Sequence, residues 1–310
     1  MFELVIVGGG PAGLAAAVYA ARKKLNTLLL SDDLGGQPNW TSGVENYMGY
    51  QFIEGPELMQ KFEEQVRHFP IEMKTGYKAV GVARADGGFA IRTEKGETHQ
   101  AKVAIIATGK RPRSLNVPGE DTWRGKGVSY CAICDGPFFE GMKVAVVGGG
   151  NSALEAADDM IKIAEHVYLV SLTPLTADRV LVDRVSEAAN LTTFTEYETL
   201  EITGNEFVTG IRIRDLKDGK EKSLEVGGVF VEIGLIPNSD LVKDLVTLNE
   251  FGEIEVNCYC ETGVPGLYAA GDVTNVPEKQ IVIAAGEGAK AALQAQRYLR
   301  TIQGVRRDWE

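Results

Sequence analysis

A strand, a glycine-rich turn, a helix and a second strand are spelled out near the start of this chain and again 140 residues later. The first copy is ELVIVGGGPAGLAAAVYAARKKLNTLLLSDD and the second is MKVAVVGGGNSALEAADDMIKIAEHVYLVS. Each is a βαβ unit, because a short apolar run, a turn, a small-residue helix and another apolar run can bury their faces only as strand, crossover and parallel strand. Gly8, Gly10 and Gly13 stand as GxGxxG between strand and helix, and Gly148, Gly150 and Ala153 repeat the pattern. The first glycine permits the tight turn, the second lets backbone approach a pyrophosphate, and the third lets helix pack on strand with phosphate at the helix N-terminus. Two such units imply two dinucleotides, and a held FAD with an exchangeable nicotinamide nucleotide is the economical pairing. One working site beside a structural relic is the alternative.

Each copy leads into an apolar strand and a proline-containing stretch, KVAIIATGKRP at 102–112 and GVFVEIGLIPNS at 228–239, where the chain is expected to change domain. The closing segment, with VPGLYAAGDV and a small-residue helix from Ile281 to Gln303, carries no third fingerprint and is expected to complete the first domain. The expected fold is α/β, with two Rossmann-like three-layer nucleotide-binding domains, the second inserted in the first. Residues 1–114 with 245–310 would form the FAD domain, and 115–244 the inserted nicotinamide-nucleotide domain carrying the cysteine pair. Alternating runs within 191–230 predict a small antiparallel hairpin.

Cys131 and Cys134 form CxxC in GVSYCAICDGPFF, just before the second glycine strand. At a helix start this spacing brings two sulfurs within bonding distance and lowers a thiol pKa, so one cysteine can attack a disulfide while the other resolves the mixed disulfide. Asp135 follows directly and is placed either to shuttle a proton or to cap the helix. Zinc is disfavoured, since no second cluster at ligand spacing exists and the chain has only three histidines. Cys258 and Cys260 read as ordinary thiols, one of them buried. With 43 acidic against 32 basic residues and a net charge of -11, a surface built to follow nucleic-acid phosphates is not expected. No run of about 18 to 20 apolar residues is present to span a bilayer, and a strand begins directly after Met1. These features predict a cytoplasmic protein without membrane or nucleic-acid partners.

The whole chain resembles the low-molecular-weight thioredoxin reductase family, which includes the flavoprotein part of the alkyl hydroperoxide reductase system. The resemblance is carried by GGGPAGLAAA, the GGQ of Gly35 to Gln37, VENYMG, ATGKRP, VPGED, YCAICDG, VVGGGNSALEAA, GLIPNS and AAGDVTNVPEKQIVIAAGEGAKAA. It implies that FAD is held by Gly8, Gly10, Pro11, Ala12, Gly13, Gln37, Asn46, Asp272, Gln280 and Ile281, with Thr108, Gly109 and Gly271 in the matching stretches. The nicotinamide nucleotide would lie on Gly148, Gly150, Asn151, Ser152 and Ala153. It further implies that Cys134 exchanges electrons with the flavin, that Cys131 attacks the partner, that the inserted domain swings as a body, and that the chain is a homodimer. The partner implied is thioredoxin or a thioredoxin-like protein, with a glutaredoxin-like or peroxiredoxin-linked protein as the alternative. The fused N-terminal thioredoxin-fold region of the hydroperoxide reductase flavoproteins is missing, so a separate partner is expected.

One stretch departs from the family. NADPH-using members carry HRRxxxR after the second strand of the inserted domain, whereas SLTPLTA here places Ser171, Leu172, Thr173 and Ala177 at the His and three arginines. None of these offers the guanidinium fork that pairs with a 2′-phosphate. NADH is therefore the favoured donor, with Ser171 standing where an acidic residue would meet the ribose. NADPH, helped by Arg179 or Arg184, and a ferredoxin-type donor stay open. A flavin-binding sensor without turnover would predict a degraded CxxC or glycine turns, and neither is seen. Trp309 is a candidate cover for the flavin or a partner surface, or plain packing.

Overall fold

The computed structural model describes residues 1–41 and 43–304, so Trp309 lies outside the described residues. β1 (Phe2–Val7) leads through the glycine turn into α1 (Pro11–Arg22), then β2 (Thr27–Ser31), α2 (Gly55–Arg67) and β3 (Glu72–Thr75). β1 and β2 are buried over nearly their whole length, as strands covered on both faces of a parallel sheet must be. Pro11 takes the first helical position, where a missing N–H costs nothing. β4 (Ala79–Ala85) and β5 (Gly88–Thr93) form a hairpin turned by Asp86 and Gly87, and β6 (Thr98–Ile106) returns to the centre. The order is β3-β2-β1-β6-β5-β4, parallel from β3 to β6 and antiparallel beyond.

A second sheet follows. After β7 (Lys110–Pro112) come β8 (Val128–Ser129), α3 (Ala132–Asp135), β9 (Lys143–Val147), α4 (Asn151–Met160), β10 (His166–Ser171), α5 (Arg179–Ser186) and β11 (Leu191–Thr195). β12 (Tyr197–Gly204), β13 (Val208–Asp215) and β14 (Glu221–Glu225) make a three-stranded antiparallel sheet, one strand more than a hairpin. Its Ile202, Ile211 and Ile213 pack against Ala145, Val170 and Val229. β15 (Gly228–Val231) closes the second parallel sheet in the order β11-β10-β9-β15-β8. β16 (Leu235–Pro237) pairs antiparallel with β7, so the two crossings run side by side as one ribbon.

β17 (Leu267–Ala269) then re-enters the first sheet beside β6, and α6 (Ile281–Ile302) packs on α1. The first sheet thus takes strands from residues 2–106 and 267–269 and the second from 128–231. Ala12, Ala16, Ala17 and Ala20 meet Ala284, Ala291, Ala292 and Ala295 in one core, small side chains that let the helices approach closely. Cys260 is buried in that core, and burial pushes its thiol up to about 11, while Cys258 is exposed. The two halves touch where the Arg124 guanidinium lies 5.0 Å from both the Trp40 and the Tyr130 ring centroids, a cation–π stack.

Candidate active site

The first glycine turn is shaped by contact. Gly8 has φ of +112°, and a Cβ there would overlap the Ala107 carbonyl of the neighbouring β6 loop. A Cβ on Gly13 would overlap the Gly8 carbonyl, so helix and turn can close only on glycine. Gly10 is open by comparison, since a Cβ there would meet nothing nearer than the Gly35 carbonyl at 4.0 Å, and it caps α1 without any side-chain hydrogen bond. The first amides of α1 are therefore free of a side-chain cap, which is what an anion at a helix N-terminus requires.

A cavity of about 1470 Å³ opens from this turn. Gly8, Gly10, Pro11, Ala12, Gln37, Asn46, Thr108, Gly109, Gly271, Asp272, Gln280 and Ile281 all line it, drawn together from both ends of the chain, and Gly13 lies beneath the turn. Asn46 donates to Gln280 Oε1 at 3.1 Å and Gln37 donates to the Lys110 carbonyl at 3.1 Å. Burial raises the Asp272 carboxyl, against the pull of Lys279 and Lys110. Thr108 Oγ1 donates to the Asn238 carbonyl at 2.7 Å, and Asn238 Nδ2 donates to the Thr108 carbonyl at 2.8 Å, which locks the crossing ribbon at the cavity edge.

Three residues escaped the sequence reading. Asp32 lines the cavity directly after β2, the place from which an acid accepts from a ribose hydroxyl, and its signal was the SDD after the apolar run. Glu287, on the buried face of α6, accepts from the Gly271 amide at 2.8 Å and so holds the turn before Asp272. Glu232, one residue past β15, had no motif to mark it.

The same cavity reaches the cysteines. Cys131 and Cys134 are joined in a disulfide and line it with Asp135, Glu232 and Ser152. Cys131 is the N-cap of α3, its Sγ accepting from the Cys134 amide at 3.2 Å. Ser129 Oγ donates to Asp135 Oδ2 at 2.6 Å, while Asp135 Oδ1 is buried with no hydrogen-bond partner. Desolvation outweighs the serine bond and lifts this carboxyl to about 6. An acid in that range can hold and release a proton near neutral pH.

The second glycine turn lies outside this cavity except at Ser152, so Gly148, Gly150, Asn151 and Ala153 are not brought to the first site. A Cβ on Gly148 would overlap the Glu232 carbonyl, which repeats the close approach of the first turn. Asn151 Oδ1 accepts from the Asp178 amide at 2.8 Å, and the Thr176 amide donates to the Gly149 carbonyl at 2.8 Å, folding the 172–178 loop onto the turn. The registers Val7↔Leu30 and Val147↔Val170 make Ser171 the counterpart of Ser31 and Leu172 the counterpart of Asp32. Ser171 is 2% exposed, and a Cβ on Gly149 would overlap its Oγ, whereas Leu172 is 59% exposed at the strand end. Arg184 is paired with Asp158 at 2.9 Å.

Residues 2–289 match the family model described as pyridine nucleotide-disulphide oxidoreductase. The chain belongs to that family. It is 44% identical over 299 residues to a component of alkyl hydroperoxide reductase from Staphylococcus aureus, covering 96% of this chain and 59% of the relative. The chain thus spans less than two thirds of the length of the curated relatives it matches. Thioredoxin reductase from Streptococcus pyogenes superposes with a TM-score of 0.92 at 37% identity, covering 97% of this chain and 99% of that one. Thioredoxin reductase from Lactococcus lactis, in what is described as its FR conformation, gives 0.68 at 34% identity over 97% of this chain and 100% of that one. The family uses FAD and a nicotinamide nucleotide as cofactors. The open turn, Asp32 and the cavity fit such a flavin. Among the described residues there is no cluster able to hold a metal and no helix long and apolar enough to cross a membrane.

Proposed function

We propose that the chain carries two electrons from NADH to the disulfide of a thioredoxin-like protein, with Cys131–Cys134 as the relay. The observation that carries this reading is a single cavity lined by both the first glycine turn and the disulfide. Bound FAD supplies the two-electron carrier between the nicotinamide and the cysteines. Residues 1–114 with 245–310 hold the flavin, the first turn receiving its pyrophosphate and Asp32 its ribose, while 115–244 carry the second nucleotide site and the cysteines. Cys131 caps α3 with its sulfur on the Cys134 amide, a contact that favours thiolate. It attacks the partner, Cys134 then displaces the partner sulfur, and Asp135 holds the proton that the departing thiolate takes up.

NADH is favoured because the 171–177 stretch supplies no arginine and Arg184 is already paired with Asp158. The Lactococcus lactis comparison supports a swing of the inserted unit between arrangements. The name of the Staphylococcus aureus relative favours a second reading, in which the partner belongs to a peroxiredoxin system. The test is anaerobic mixing of flavin-loaded protein with each nucleotide, followed by turnover with thioredoxin and with a peroxiredoxin-linked redoxin. NADH is expected to bleach the flavin at far lower concentration than NADPH. Cys131→Ser is expected to keep that bleaching and lose turnover. Flavin that dithionite reduces but neither nucleotide does would overturn the nicotinamide step and point to a ferredoxin-type donor.

A further inference from the structure

A second carboxyl group stands beside the disulfide, and the relay described above does not use it. β8 and β15 are parallel neighbours, so their C-terminal ends emerge together, one into Cys131 and the other into Glu232. Glu232 Oε1 accepts from the Ala132 amide, next to Cys131, at 3.4 Å. It lines the same cavity as both cysteines. Glu155 of α4 is the charged side chain that acts on it directly, and Asp135 and Asp159 share its cavity with the cations Lys110, Arg111, Arg124 and Lys279. Arg113, on the first crossing, packs over Gly234 two residues further on.

We propose that Glu232 is a redox-linked proton acceptor for the Cys131–Cys134 pair, its carboxyl holding a proton more tightly when the pair is reduced than while it is a disulfide. It touches the backbone of the redox turn and not the sulfurs, so it is a positioning residue that acts through its charge. Reduction adds two electrons to the pair, supplied by the flavin in turnover or by a dithiol in the test, and breaks the S–S bond. The negative charge that then appears on sulfur is offset by protons from solvent, one of which goes to Glu232. Reoxidation re-forms the bond and returns that proton.

Burial, opposed by the Ala132 amide and reinforced by Glu155, lifts the Glu232 carboxyl to about 7. Well below this value Glu232 is neutral in both redox states and costs the dithiol nothing. Above it, a carboxylate opposes the new thiolate and disfavours reduction.

The inference rests on Cys131–Cys134 being the redox pair, and the experiment separates the two. Flavin-loaded wild type and Glu232→Gln are equilibrated with graded dithiothreitol redox buffers, and the dithiol fraction is read by alkylation and mass spectrometry of the peptide bearing both cysteines. At about pH 8.5 the variant is expected to have an equilibrium constant for reduction about tenfold higher, roughly 30 mV for two electrons. At about pH 5.5 the two proteins are expected to agree within about twofold. Equal behaviour at both pH values, or the same offset at both, overturns the proposal. Glu232→Asp keeps the charge but withdraws it by one methylene, and is expected to fall between the two at the higher pH. Should Glu232→Gln fail to load flavin, a Glu232→Asp protein indistinguishable from wild type overturns the proposal. A pair that no dithiol buffer reduces at either pH sinks the redox reading itself.

Discussion

Replacing Asp135 by asparagine is expected to make the oxidised protein more stable and the enzyme slower. In the fold the carboxyl titrates at about 6 rather than 3.8, because desolvation of a charge with one unpartnered oxygen outweighs the Ser129 bond. A folded value above the unfolded one means that ionisation works against folding. The cost is absent below 3.8, grows as pH rises through the window, and is complete above about 6. A shift of about two units at 1.36 kcal/mol each comes to about 3 kcal/mol at pH 8, an upper bound for a site that solvent reaches, and to about 0.5 kcal/mol near pH 4. Asparagine approximates the protonated acid in shape and removes the titration. Urea unfolding of flavin-saturated, oxidised wild type and Asp135→Asn, at both pH values, measures the difference directly. The variant is expected to be the more stable at the higher pH and nearly equal at the lower. Its flavin is expected to be reduced normally while disulfide turnover falls by about 10²-fold or more, the usual scale of a lost general acid. A variant that is less stable at pH 8, or equally shifted at both pH values, would refute burial as the origin of the raised value.

Two further outcomes follow from the dinucleotide turns. Asp32→Ala is expected to weaken FAD binding by about 30-fold, from losing about 2 kcal/mol of charge-assisted hydrogen bonding to ribose, read by fluorescence titration of apoprotein. An unchanged affinity would remove Asp32 from the site. Leu172→Asp places an acid at the matching position of the second turn and is expected to lower KM for NADH by about tenfold, without helping NADPH and with little change in kcat. If both nucleotides respond alike, Leu172 does not face the ribose.

Much of this architecture is readable from residue patterns because local geometry and local chemistry coincide in it. GxGxxG between an apolar strand and an alanine-rich helix permits few alternatives, and both turns form as that spacing predicts. CxxC likewise lies at a helix start, with Asp135 on its last residue. Asp32 is legible in the same way, as the acid that follows a buried strand, although the sequence reading does not single it out. Ser171 illustrates the opposite case: residue type suggests a ribose contact, but which of two adjacent side chains faces outward depends on strand pleat and on where the strand ends. The register shows Ser171 beneath Gly149 and Leu172 outside.

By itself the sequence determined the two βαβ units, the return of the closing segment to the first sheet, and the placing of Cys131, Cys134 and Asp135 on one short helix turn. These are properties of short stretches, in which periodicity and residue type act over a few neighbours. Only the tertiary structure decided which distant residues share a space. Residues as far apart as Gly8, Cys134 and Asp272 line one cavity because β17 and the crossing ribbon close around it. Only the pairing of β15 with β8 delivers Glu232 to the Ala132 amide, 100 residues away along the chain. Burial, and with it the proton affinity of Asp135 and Glu232, is a sum over everything packed around a group, so it comes into being only with the fold.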